Sequence, residues 1–232
     1  MTDKRVSLED QVHELQHQLG VLEDVHAIRR LQYAYGYFID KCLYDETVDC
    51  FSDSGEVWFF GGRFKGKAGL RRLYCNRFRE RFTGGVNGPV EGFLLEHLQL
   101  QDIIDVAPDR KTALGRARSF MQAGRHVDHA DNSREGWLPR QWWEGGIYEN
   151  TYIREDGVWK LKILNYHPVW HADFETGWAQ TKPNYVPFFS KTFPEDPNGP
   201  DELITDPKPV LWPETDVVAF HYPHPVTGRP VK

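Results

Sequence analysis

At 232 residues, 40% hydrophobic and 27% charged, the chain has the length and balance for one substantial buried core plus an extension. A formal net charge of -6 and a pI near 5.9 argue against nucleic acid as the main ligand, because backbone binding needs a concentrated positive surface. No apolar run reaches membrane-spanning length, the N-terminus is charged rather than signal-like, and Cys42, Cys50 and Cys75 are odd in number without CxxC spacing. The expectation is a cytoplasmic protein with no membrane partner.

In chain order, residues 7 to 39 predict helix. Ser7 is placed to cap it, Glu9 and Asp10 fall in its first turn, and Val12, Leu15, Leu19 and Leu22 form an apolar line. Gly20 is expected to divide it, with Val25, Ile28, Leu31, Tyr35 and Phe38 carrying the second half. A short helix near 45 to 51 ends at Ser52-Asp53-Ser54-Gly55. A strand follows over 56 to 60, then a Gly61-Gly62 turn, a return over 63 to 65, and a charged helix over 66 to 82. Thr83 to Gly92, with its glycines and Pro89, is expected to be a loop. Four longer strands follow, over 93 to 106, 111 to 124, 145 to 154 and 158 to 169, with a loop between Arg125 and Trp142 expected to rim a cavity. Helices first and a long antiparallel meander after them predict an α+β fold whose curved sheet wraps around helices.

After Trp170 the character changes. Prolines from Pro183 to Pro230 oppose regular helix or central strand. Aromatics such as Trp178, Phe188, Phe189 and Trp212 are too apolar for an ordinary disordered tail. The expected division is therefore a domain over 1–170 and an extended arm over 171–232, lying on its own domain or, the favoured case, on a neighbouring subunit. The leucine line of the first helix is a second expected oligomer contact.

Aromatics make up 14% of the chain, enough to line a pocket. Alternation puts Tyr148, Asn150 and Tyr152 on one strand face, and Leu161, Ile163, Asn165 and His167 on another. Polar groups on such faces are expensive unless partnered, so a cavity with a polar end is expected. His97 shares a face with Phe93, Leu95 and Gln99 and is the first candidate for proton transfer near neutral pH. Tyr35 and Tyr33 lie on the helix leading to Asp40, which is placed to form an ion pair or to hydrogen-bond a histidine. Arg71 and Arg77 are candidate donors to an oxyanion or phenolate. Trp58 and Tyr148 are expected to shape an aromatic site. The cluster from Arg63 to Arg81 is either an anion site or a solvated helix face. HVDH over 126–129 and the pair His167 and His171 match no metal motif such as HExxH, and no cofactor or metal is expected.

Ile28-Arg29-Arg30-Leu31-Gln32-Tyr33-Ala34-Tyr35, then Asp40 and Phe51, resembles the start of the nuclear-transport-factor-2-like superfamily, best its SnoaL-like branch. Gly66-Lys67-Ala68-Gly69-Leu70, His97, and Gly146-Ile147-Tyr148-Glu149-Asn150 before Arg154-Glu155-Asp156-Gly157 continue the likeness over about residues 20 to 170. The resemblance implies a cone-shaped, mostly antiparallel mixed sheet around helices with an internal pocket, as in scytalone-type dehydratases, polyketide cyclases and ketosteroid isomerases. It implies acid–base chemistry without an organic cofactor, with His97, Tyr35, Asp40 and Asn165 as nearest counterparts of catalytic groups. Tyr33, Trp58, Arg71, Arg77, Tyr148 and His167 are then expected around the substrate. The proline- and aromatic-rich tail looks more like bacterial lyases of this superfamily that release formaldehyde from lignin-derived diaryl compounds to give a stilbene. Expectations are thus a lyase on a small aromatic substrate, alternatively a dehydratase or isomerase, alternatively a non-catalytic aromatic-ligand or oxygenase-scaffold subunit, and a homo-oligomer, dimer or trimer.

Overall fold

The computed structural model describes residues 7–129, 141–182 and 186–231. Helix α1 runs unbroken over Leu8–Asp40, with the Ser7 side chain accepting the Asp10 N–H at 3.0 Å. Gly20 does not divide it. The glycine is buried because the Arg110 guanidinium lies against it: a Cβ there would stand 2.0 Å from Arg110 Nη1. Arg110 donates to the Gly20 carbonyl at 2.9 Å and to Asp24 at 2.5 Å, so the missing side chain serves packing.

Helix α2 (Tyr44–Asp49) leads into strand β1 (Phe51–Phe59) and its return β2 (Gly62–Lys65). Ser52 to Gly55, expected as a turn, belong to β1, where pairing with the last long strand shifts between Phe51 and Glu56. Helix α3 (Gly66–Arg71) continues as a π-helix over Arg72–Thr83 and ends where Gly84 takes φ 62°. Strands β3 (Phe93–Val106), β4 (Thr112–Arg125), β5 (Gln141–Glu155) and β6 (Val158–Asp173) form the meander, and a two-residue strand β7 (Glu202–Leu203) lies in the arm. Residues 130–140, most of the loop expected at the cavity rim, lie outside the described residues, as do Pro183 and Tyr185.

The sheet order is β3-β4-β5-β6-β1-β2-β7. Among the described residues β1 and β6 pair in parallel, and the other neighbours are antiparallel. This is the mixed, mostly antiparallel α+β arrangement expected. Its inner face packs α1, α2 and α3 over a core that includes Ile28, Phe51, Phe64, Leu70, Leu73 and Leu161. Near the base of α1, Asp24 bonds Arg110 and accepts the Trp159 indole N–H at 2.9 Å. Gln32 accepts from Asn150 and Tyr152 at 2.9 and 2.8 Å, tying α1 to β5.

Strand β6 departs from simple alternation twice. Thr151 faces Ile163 while Tyr152 faces Leu161, leaving Lys162 as an extra residue; Gly145 faces Trp170 while Gly146 faces Pro168, leaving Val169 extra. Each bulge turns the following residues over. Trp159 and Leu161 point inward before the first, Leu164 and Tyr166 after it, and His171 after the second.

The arm lies against the domain of its own chain. Phe189 and Ile204 N–H groups donate to Phe60 and Gly61 carbonyls at 3.0 and 2.7 Å, and Arg72 pairs with Asp201 at 2.6 Å. Farther on, Arg116 donates to the carbonyls of Val218 and Ala219, and His221 bonds Glu149 at 2.9 Å. Among the described residues no helix is long and apolar enough to cross a membrane.

Candidate active site

Between the inner sheet face, the π-helix and the arm lies a cavity of about 350 Å³, within the size range of small-molecule sites. The sequence builds it from rings. Tyr35 comes from α1; Tyr74, Phe78 and Phe82 come from the π-helix; Trp142, Tyr148 and Tyr166 come from β5 and β6. Phe188 and Phe189 of the arm close one side. Ring contacts fix these side chains, among them the tilted pair Tyr148 and Tyr166 at 4.9 Å and the stacked pair Phe82 and Trp142 at 6.5 Å.

His97 reaches this cavity from β3, on the face that alternation predicts. Asp40, the last residue of α1, stands behind it. Its Oδ1 accepts the His97 backbone N–H at 2.7 Å and lies 3.0 Å from the ring Nδ1. A carboxylate can only accept, so Nδ1 carries a proton, and in the neutral ring Nε2 is the nitrogen with the free lone pair. The pair is an imidazole held in one orientation and one tautomer, ready to take a proton.

A second group of ionisable residues faces the same space. Glu144 is buried on β5, and the Tyr166 hydroxyl lies 2.5 Å from its Oε1. Burial raises the carboxyl above its usual range, while the Tyr166 bond and a protonated His97 ring pull it back down. His171 Nε2 lies 3.6 Å from Glu144 Oε2, and burial lowers its pKa to about 3, so it is neutral at ordinary pH. Burial likewise pushes the Tyr35, Tyr148 and Tyr166 phenols well above their usual range, so all remain donors. Tyr35 and Tyr74 share a hydroxyl–hydroxyl bond of 2.9 Å. At the mouth Arg77 bonds Asp196 at 3.2 Å and lies 4.7 Å from the Phe189 ring centroid.

Residues 20–165 match the family of SnoaL-like domains. The chain belongs to that family. The match includes His97, Asp40 and Glu144 of this SnoaL-like domain; the exposed start of α1, the end of β6 and the arm lie beyond it. Solved structures agree on the fold. Hexachlorocyclohexane dehydrochlorinase LinA-type3 from Novosphingobium barchaimii LL02 is similar at 19% identity and a TM-score of 0.53, over 75% of this chain and 99% of that one. LinA itself gives 17% identity and 0.54 over the same shares, and a type 2 dehydrochlorinase gives 20% and 0.52 over 67% and 91%. Comparison with curated protein sequences found no match.

Of the residues expected at the site of this SnoaL-like domain, His97, Tyr35, Tyr148 and Arg77 line the cavity and Asp40 backs it. Others do not reach it. Asn165 and His167 lie on the outer face because the Lys162 bulge reverses β6; the Asn165 backbone N–H donates to Asn150, and burial lowers the His167 pKa away from the site. Tyr33 donates to Asp102 at 2.9 Å, its side of α1 facing the far end of β3. Trp58 bonds Glu56 and lies under Arg63 at 4.2 Å. Arg71 pairs with Asp45 at 3.1 Å, and Arg79 pairs with the same carboxylate, so much of the basic cluster is a neutralised helix face.

The polar end expected from Asn165 and His167 is instead made by Glu144, Tyr166 and His171. Glu144 lies four residues before Tyr148 on the same strand face, but one residue ahead of the strand expected from 145, because β5 starts at Gln141. Tyr166 and His171 were hidden behind the bulges. Among the described residues no three His, Cys, Asp or Glu side chains converge as metal ligands, and Asp131 beside the HVDH motif lies outside them.

Proposed function

We propose that this SnoaL-like protein is an acid–base enzyme that works without a cofactor on a small aromatic substrate and cleaves it by elimination. The observation carrying this reading is that an oriented base, His97–Asp40, and a buried acid, Glu144–Tyr166, face one ring-lined cavity. His97 Nε2 takes a proton, and the Glu144 carboxyl, directly or through Tyr166, gives one to a departing oxygen. Water is excluded by the surrounding rings, and Tyr35 and Tyr148 supply further donors.

Within that class the specific proposal is a lyase that converts a phenolic diaryl diol to a stilbene. The phenol gives its proton to water, its phenolate held by Arg77, and the benzylic hydroxyl leaves as water with the Glu144 proton, giving a quinone methide. His97 then deprotonates the terminal hydroxyl. The adjacent carbon–carbon bond breaks, formaldehyde departs, and its electron pair restores the aromatic ring as phenolate. Net, the diol gives stilbene, formaldehyde and water. Twelve Phe, Tyr and Trp side chains from helix, sheet and arm around this volume fit a two-ring molecule.

A dehydratase or isomerase needs the same base and acid and is the second reading, and the fold shared with the dehydrochlorinases fits an elimination. Incubating the protein with a phenolic 1,2-diaryl-1,3-propanediol and measuring formaldehyde and stilbene separates them. Equimolar formaldehyde supports the lyase; loss of water alone, seen by product mass, supports the dehydratase. No turnover of phenolic diols or β-hydroxy ketones, with tight binding of the stilbene, would leave a non-catalytic ligand-binding domain. His97→Ala is expected to abolish turnover.

A further inference from the structure

The first third of α1 shows a feature that the cavity does not use. Residues 7 to 19 are exposed without exception, and they form a rod projecting from the domain. Its large apolar residues are Leu8, Val12, Leu15, Leu19 and Leu22, exposed by 76, 44, 64, 58 and 60%. Their spacing alternates four and three, which is the heptad seam of a coiled coil rather than the broader stripe of a helix on a globular core.

The chain's own domain cannot cover this seam. Gly20 and Asp24 are the buried residues at the base of the rod, held by Arg110 and Trp159. Leu22 precedes Asp24 by two residues, about 200° around the helix, so the seam points away from the domain. A lone helical rod of this length is marginal in water, and its apolar line calls for a helical partner.

We propose that residues 8–22 of α1 form one strand of a parallel, in-register coiled coil whose partner is the same segment of a second copy of this chain. With Val12 and Leu19 at a and Leu8, Leu15 and Leu22 at d, the β-branched residue sits at a and leucine at every d, the pattern of two-stranded parallel coils. The flanking e and g positions hold Glu9, Gln11, Gln16, Gln18 and Glu23. In a parallel pair Gln11 meets Gln16 and Gln18 meets Glu23 of the other copy, so no like charges face each other. His13, Glu14 and His17 fall on the outer side.

The test uses the full chain. Sedimentation at micromolar concentration is expected to give at least twice the 27.0 kDa single-chain mass, and Leu15→Glu with Leu19→Glu to return it to one chain with near-ultraviolet circular dichroism unchanged. Cys42, Cys50 and Cys75 are free and buried, so a new surface cysteine can be read alone. Leu15→Cys under a mild thiol oxidant is expected to give mostly covalent dimer on a non-reducing gel, and His13→Cys at least fivefold less. A single-chain mass for the unaltered protein, an unchanged mass for the double variant, or equal cross-linking at both positions would overturn the proposal.

Discussion

One oxygen of Asp40 receives both the backbone N–H and the ring Nδ1–H of His97, at 2.7 and 3.0 Å. The end of α1 thus fixes the position of β3 and the tautomer of its histidine with a single atom. Asp40→Asn keeps the shape but offers an amide whose N–H₂ competes with Nδ1–H, favouring the tautomer with its proton on Nε2. Turnover is expected to fall by about 10²–10⁴-fold, the usual worth of a general base, with circular dichroism unchanged. A loss under about tenfold would mean that another contact sets the tautomer.

Tyr166 reaches Glu144 because residue 146 has no side chain: a Cβ there would lie 2.4 Å from the Tyr166 ring and hydroxyl. Gly146→Ala is therefore expected to destabilise by about 1–3 kcal/mol through overpacking, and to break the Tyr166–Glu144 bond. Tyr166→Phe breaks the same bond without overpacking, leaves a buried carboxyl short of a partner, and is expected to cost about 1–3 kcal/mol. Urea unfolding measures both. If the bond serves proton delivery, both variants also lower kcat; if it serves stability alone, kcat is unmoved.

Arg77 stands at the mouth between Asp196 and the Phe189 ring, so it both holds the arm and offers charge to a substrate oxygen. Arg77→Ala is expected to raise KM about tenfold and change kcat by less than about threefold, the pattern of lost uniform binding. Steady-state kinetics at several substrate concentrations separates the two constants. A fall in kcat with KM unchanged would place Arg77 in the chemical step.

The fold was legible where side-chain periodicity is unbroken. The alternation through Phe93, Leu95, His97 and Gln99 put His97 on the inner face, and Tyr148 followed from the same rule on β5. On β6 the rule failed, because Lys162 and Val169 are extra residues whose presence depends on pairing with β5, a property no single strand carries. That is why Asn165 and His167 were expected inside and Tyr166 and His171 were missed. Gly20 misled for a related reason: its lack of a side chain answers Arg110, ninety residues away in the chain, rather than a local break. Asp40 and Arg77 were named from residue type and from the family resemblance, which do not fix facing, and Tyr33 and Arg71, named beside them, face other elements.

His171 makes the stability of the protein depend on pH in a direction that can be worked out. Its ring is buried and stacks on Trp142 at 6.2 Å, and burial lowers its pKa from 6.5 to about 3. The unfolded chain takes up a proton below pH 6.5 that the folded ring refuses, so the stability from neutral His171 is full above pH 6.5 and is lost as pH falls toward 3. Glu144 runs the other way: its raised pKa gives a contribution that is full below its usual 4.5 and is lost as pH rises through the folded value. His171→Gln removes only the first slope. Between pH 7.5 and 5 the unaltered protein is expected to lose about 2 kcal/mol more stability than the variant, the full 1.36 kcal/mol per pH unit applying only below the unfolded pKa. The variant starts lower at pH 7.5, having lost the stacked ring, so the two unfolding free energies converge with acid. Urea titrations at pH 7.5, 6.5 and 5 test this, and parallel slopes would show that folded His171 accepts its proton at an ordinary pH.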